Sequence, residues 1–343
     1  MNLPLYDFLP APLWLINILH IVTLSLHLIA MNFLFGGLVV ILLGRISDRW
    51  QNQAVRQYVK LLPSAMAATI TLGVAPLLFV QLVYPRQVYS AAIVSGWFWL
   101  FIMGAAIIAY YCFYAASFRQ QSGKRIDYFL WPALLCLAYV SVVYSSVFTL
   151  AEHTDRIHAA YAQSQAGWAT NPDIGSWIFR WLHMITGAIT VGGFFVGWLG
   201  KENDQVHRAG KQFFTWGMAA AAVFGFVYLF TLDKYLLLFM RTPGIWALTV
   251  GIVLSAGALH FYFRKKFTPA AVMLLVSVLM MVYSRHYVRL LHLADTYDPS
   301  SMPVQPQWSI FALFLVLFLI AIGLVWYMLR LLLAGPRVIE QDK

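Results

Sequence analysis

Six histidines fall inside long apolar stretches of this sequence: His20 and His27 in residues 12–44, His183 in 174–200, His260 in 243–263, and His286 and His292 in 267–293. A titratable side chain is costly in hydrocarbon, so each marks a candidate site. The acids give the complementary picture. All thirteen Asp and Glu map to loops or stretch ends, with Asp7, Asp127 and Asp233 nearest to membrane depth. Proton pumps and cation-coupled carriers generally place a carboxylate in the pathway, so a driven carrier loses ground, although a histidine relay stays open. A neutral imidazole, by contrast, brings no net charge into lipid and can coordinate haem iron. Against this stands the plainer role of a lone transmembrane histidine, a hydrogen bond between helices.

Depth separates the candidates. His20 and His183 each lie roughly 12–14 Å along the helix axis from the outer end of their stretch, at 1.5 Å per residue, and His286 is similarly near the outer end of its own. These three are expected to converge on the outer half of the membrane as iron ligands. His27 lies seven residues beyond His20 on nearly the same face. It serves either a second, stacked haem or as a hydrogen-bonding partner. His260 and His292, near stretch ends, are expected to be interfacial.

The neighbours of His183 suit a cofactor. Gly187 follows one turn below and Thr190 two turns below, a face on which a flat macrocycle could lie; close helix packing through small residues explains that face equally well. In Ser284-Arg285-His286-Tyr287-Val288-Arg289 two guanidiniums flank a candidate ligand. Arginine forks suit haem propionates, with snorkelling to headgroups as the alternative.

The elements that must hold these residues are transmembrane helices. The chain is 61% apolar and only 10% charged, whereas soluble domains are roughly a quarter charged. Apolar runs long enough to cross a bilayer, about 18 residues or more, occur near 12–44, 59–84, 88–118, 127–150, 174–200, 210–240, 243–263, 267–293 and 308–334. The expected fold is an all-α polytopic bundle of about nine spans forming a single domain, 1–343, with no internal repeat evident. Cations gather on alternate loops: Arg45, Arg49, Arg56 and Lys60; Arg119, Lys124 and Arg125; Lys201, Arg208 and Lys211; Arg264, Lys265 and Lys266. Those loops are expected in the cytoplasm, with the N-terminus outside and the C-terminus inside. The net charge of +10 then reports orientation, and no nucleic-acid partner is expected. Cys112 and Cys136 lack the spacing of covalent haem attachment or of a disulfide framework. The first apolar run has no basic lead and reads as a retained span, not a cleaved signal.

This plan resembles the haem-bearing large subunit of cytochrome bd quinol oxidases, which has nine spans, an outside N-terminus, and haem-ligating histidines early in its first span and in its fifth. His20 and His183 stand in those places. The most specific local likeness is the fifth span, with His183, Thr186, Gly187-Ala188, Gly193-Phe194-Phe195 and Trp198; Gly73-Val74-Ala75-Pro76 and Phe79-Val80-Gln81 are similar to the family's second-span segment. The resemblance implies haem b but not the family's oxygen chemistry: its early-span glutamates have no counterpart, since residues 73–110 contain no acid, and the eighth span offers His286 instead.

The family's long outer connection between the sixth and seventh spans is reduced to the stretch around Met240-Arg241-Thr242-Pro243, where Met240 is the one candidate for the methionine that pairs with the fifth-span histidine. The resemblance therefore implies a haem b subunit, with two haems, exchanging electrons between the quinone pool and a multihaem or other cytochrome c on the outer face of a bacterial inner membrane. An oxygen-reducing quinol oxidase and a non-redox transporter or anchor are the alternatives. The outer connections at 151–173, with Glu152, His153, Asp155, Arg156, His158 and Trp168, and at 294–307 are the expected docking surfaces.

Overall fold

The computed structural model describes residues 8–120 and 125–333; Asp7, Lys124 and the end of the chain lie outside them. Among the described residues there are twelve α-helices, nine of them long and apolar enough to cross a membrane. These nine are α1 (Leu13–Leu43), α2 (Gln53–Val83), α4 (Gly96–Gln120), α5 (Asp127–Glu152), α7 (Ile174–Leu199), α8 (Asp204–Phe230), α10 (Pro243–Phe263), α11 (Phe267–Leu293) and α12 (Trp308–Leu333). Helices satisfy every backbone polar group internally, which lipid demands. The short helices are α3 (Pro85–Val94), α6 (Asp155–Gln163) and α9 (Lys234–Phe239).

Two apolar runs that read as continuous are broken. The expected 88–118 span is interrupted at Ser95, so that α3 precedes the crossing helix α4. Tyr84 leaves the helical region (φ −126°, ψ 53°) ahead of Pro85, which opens α3 at a position where its missing N–H costs nothing. The expected 210–240 span ends at Phe230, and Asp233, at φ 47°, turns the chain into α9. Side-chain caps fix other starts: Asn52 accepts from Ala54 N and Val55 N, Asn203 from Val206 N, and Thr242 from Gly244 N beside Pro243.

Helix pairing reveals an internal repetition that the sequence reading did not register. α1 packs on α2 as α7 packs on α8, α4 pairs with α5 as α10 pairs with α11, and the cross-contacts α1 to α11 and α7 to α5 correspond. The halves meet where α1 crosses α7. A methyl group at Gly36 would overlap the Ala188 carbonyl, and one at Gly192 would overlap the Gly36–Gly37 backbone. Around this crossing Leu26-His27, Ile29, Gly36-Gly37 and Val40 match Leu182-His183, Ile185, Gly192-Gly193 and Val196 at identical spacing. Small residues permit such close approach in membranes. We predict that Gly36→Ala or Gly192→Ala lowers stability by about 1–3 kcal/mol, the usual cost of overpacking, read as a drop in thermal midpoint in detergent. Gly104→Ala, where a methyl group would meet nothing within 4 Å, should leave the midpoint unchanged.

Among the described residues, the last span is tied in at its N-terminal end. Leu9 N donates to Pro303 O (2.8 Å), Gln305 N to Leu9 O (2.9 Å) and Gln307 N to Pro10 O (2.9 Å), pinning the 294–307 connection to the start of α1. Beyond Phe311, the described side chains of α12 are exposed.

Candidate functional site

His27 and His183 occupy equivalent places in the two halves and are held in the same way. His27 Nδ1 lies 2.9 Å from Thr69 O on α2, and His183 Nδ1 lies 2.8 Å from Ala221 O on α8. Each ring also rests on a glycine one turn further along the neighbouring helix, Gly73 for His27 and Gly225 for His183. A carbonyl oxygen only accepts, so each Nδ1 carries the proton and each Nε2 keeps its lone pair. That tautomer, with the ring oriented by the Nδ1 hydrogen bond, is the form in which histidine binds a metal. Because the two rings engage α2 and α8 respectively, they do not share one docking helix.

His20 and His286 form a second grouping. Both are buried, at 7% and 8% exposure, on the packed helices α1 and α11. They lie within charge–charge range of each other and of Arg289. Gly187 has open space where a Cβ would project, one turn from His183. Thr190 does not face that space: it packs against Gly217 of α8, and its hydroxyl donates to Thr186 O at 2.8 Å. The side chain of Met240 is 56% exposed at the end of α9, and His260 is exposed on α10.

The arginines meet a partner that the sequence reading had placed in a surface loop. Glu152 is the last residue of α5 and only 4% exposed. Its carboxylate pairs with Arg285, with Arg289 Nε at 3.4 Å and with Arg180 Nη1 at 3.7 Å, while His292 Nδ1 lies 3.7 Å away. Arg180 also donates to Thr149 Oγ1 at 2.9 Å. Glu152 is therefore removed from the expected docking surface. His292 has a side chain only 5% exposed. Neither Arg285 nor Arg289 snorkels, because a buried carboxylate one helix away holds them. His153, just beyond α5, packs against His292 with the rings 4.6 Å apart and tilted by 48°, and burial pushes its pKa down.

The rest of the 151–173 connection is anchored and partly exposed. Trp168 stacks on Trp97 (5.5 Å, 17°), and backbone bonds run from Trp97 N to Gly167 O (3.1 Å) and from Ala169 N to Val94 O (3.3 Å). Arg156 pairs with Asp173 at 2.5 Å, and Asp155 and His158 are exposed on α6. In the 294–307 connection, hydrogen bonds from Ser300 hold the Asp298 carboxyl below its usual range.

Among the described residues, no group of three or more His, Cys, Asp or Glu could hold a metal ion alone. Haem makes no such demand, since the porphyrin supplies the equatorial nitrogens and the protein one or two axial ligands. The donor set suits it: two imidazoles with oriented Nε2, a further buried pair, open space beside Gly187, and Arg285 Nε and Nη1 buried without a partner. No protein-family model matches the chain, and no curated protein matches it in sequence.

Proposed function

We propose that the chain is a haem b subunit of a bacterial inner membrane, exchanging electrons between quinone in the bilayer and a redox partner, a cytochrome c, on the outer face. The observation that carries this reading is the duplicated histidine arrangement: His27 and His183, equivalent in the two halves, each with Nδ1 on a backbone carbonyl and Nε2 available. His27 thereby joins His183 as a preferred ligand, and His20 with His286 supplies further imidazoles on adjacent helices.

When bound, haem supplies a one-electron carrier. The chain's own residues do the rest. The Thr69 and Ala221 carbonyls fix the imidazole rings and increase their basicity as ligands. The glycines beneath them let the rings lie close to the neighbouring helix, and the surrounding apolar side chains exclude water. The N-terminus outside and C-terminus inside follow from the distribution of Lys and Arg. The partner then docks at the outer ends, on the 151–173 connection without Glu152 and on 294–307.

The test is anaerobic addition of a quinol to the purified protein. The expected result is reduction of its haem, with no oxygen uptake above background once air is admitted. Haem that stays oxidised would remove quinone from the reading. Oxygen consumption abolished by cyanide or by His20→Ala would make the chain an oxidase instead.

A further inference from the structure

The charges at the outer ends of α5, α7 and α11 do not balance. Three guanidiniums, on Arg180, Arg285 and Arg289, face the single carboxylate of Glu152, a surplus of two positive charges among these four groups. These groups are shielded from water: Glu152 is 4% exposed, Arg289 9%, and Arg180 and Arg285 about a fifth. Other nearby acids are engaged at the surface, Asp298 with Ser300 and Asp295 with Lys234. The surplus lies close to one histidine group in particular. Arg289 stands three residues outward of His286 on α11, roughly 4.5 Å along the axis, and its charge reaches both His286 and His20.

The two halves differ here. By the spacing that equates His27 with His183, the position equivalent to Arg180 on α1 is Leu24. The repeated framework is thus electrostatically one-sided. Reducing ferric iron lowers its charge by one, and a fixed positive surplus in a poorly screened setting favours that change.

Resting on the haem reading above, we propose that the Glu152–Arg180–Arg285–Arg289 cluster raises the reduction potential of the iron held at His20 and His286, making this outer site the electron sink of the protein. Electrons entering elsewhere would then collect next to the outer surface, where a partner can take them. The arginines and Glu152 act here as positioning residues for charge and do not touch reacting atoms.

The experiment is a potentiometric titration of the full-length protein in detergent, following the haem absorbance. Arg180→Gln removes one positive charge and should make reduction of the higher-potential component about tenfold less favourable, a fall of about 59 mV for a one-electron couple. Glu152→Gln removes the one negative charge and should shift the same component upward. Arg180→Lys, which keeps the charge, should shift it little. Haem content is expected to stay at the wild-type level in all three. Opposite shifts from the two charge-removing variants support the proposal, because a loosened structure would move both in the same direction. No shift, shifts of one sign, or a response confined to the lower-potential component would overturn it. Wild-type protein without any haem spectrum would instead sink the underlying haem reading, and the two failures are therefore distinguishable.

Discussion

His183→Ala protein, purified from the membrane, is expected to lose the haem ligated at that position, with the haem-to-protein ratio falling by about half if two haems are bound. His27→Ala should cause a comparable loss. Both imidazoles are fixed by a carbonyl on the neighbouring helix, at 2.8 Å for His183 and 2.9 Å for His27. His260→Ala is the control: His260 is exposed on α10, and its removal should leave the ratio unchanged. The readout is haem extracted per mole of folded protein. Full haem content in both His27→Ala and His183→Ala would show that these rings only join helices.

The largest effect on stability is expected at Glu152. Glu152→Ala leaves three guanidiniums without their common carboxylate in a setting where Glu152 itself is 4% exposed. Removing one partner of a buried ion pair typically costs about 3–5 kcal/mol, because the remaining charge is left uncompensated. Thermal unfolding in detergent should therefore show a lower midpoint. Adding Arg285→Met to Glu152→Ala removes one of the stranded charges, and part of the lost stability should return. A midpoint within error of wild type for Glu152→Ala would mean that water or headgroups already screen these arginines. Surface pairs such as Lys201 with Glu202, at 51% and 89% exposure, should contribute little by comparison.

The spans were legible because crossing a bilayer requires a run of apolar residues, and each of the nine had one. Their interruptions were not. The break at Ser95 and the turn at Asp233 lie inside or at the edge of apolar runs, where hydropathy carries no signal; they depend on Ser95 leaving the helical region (φ −101°, ψ 29°) and on a left-handed φ at Asp233. The repetition of the halves was hidden because only a few residues, such as Leu26-His27 and Gly36-Gly37, recur within otherwise interchangeable apolar sequence. Its clearest sign is a bond to a backbone carbonyl, which no sequence displays. For the same reason depth alone favoured His20 over His27.

Glu152 was misread for a different reason. An acid at the end of a span is ordinarily solvated, and the three arginines that bury it come from α7 and α11, 28 to 137 residues away in sequence. A clue was present in Arg285 and Arg289, which sit four residues apart on one face of a helix. Two cations on one face at membrane depth require an anion, and Glu152 partly answers that requirement.

The central claim is that these buried histidines hold haem b, and the most direct measurement is the dithionite-reduced minus oxidised visible spectrum of the purified wild-type protein. The account predicts the sharp alpha band of low-spin, histidine-ligated b haem, diminished in His27→Ala and His183→Ala. A wild-type preparation, folded and expressed with ample haem supply, that shows no such band would contradict it.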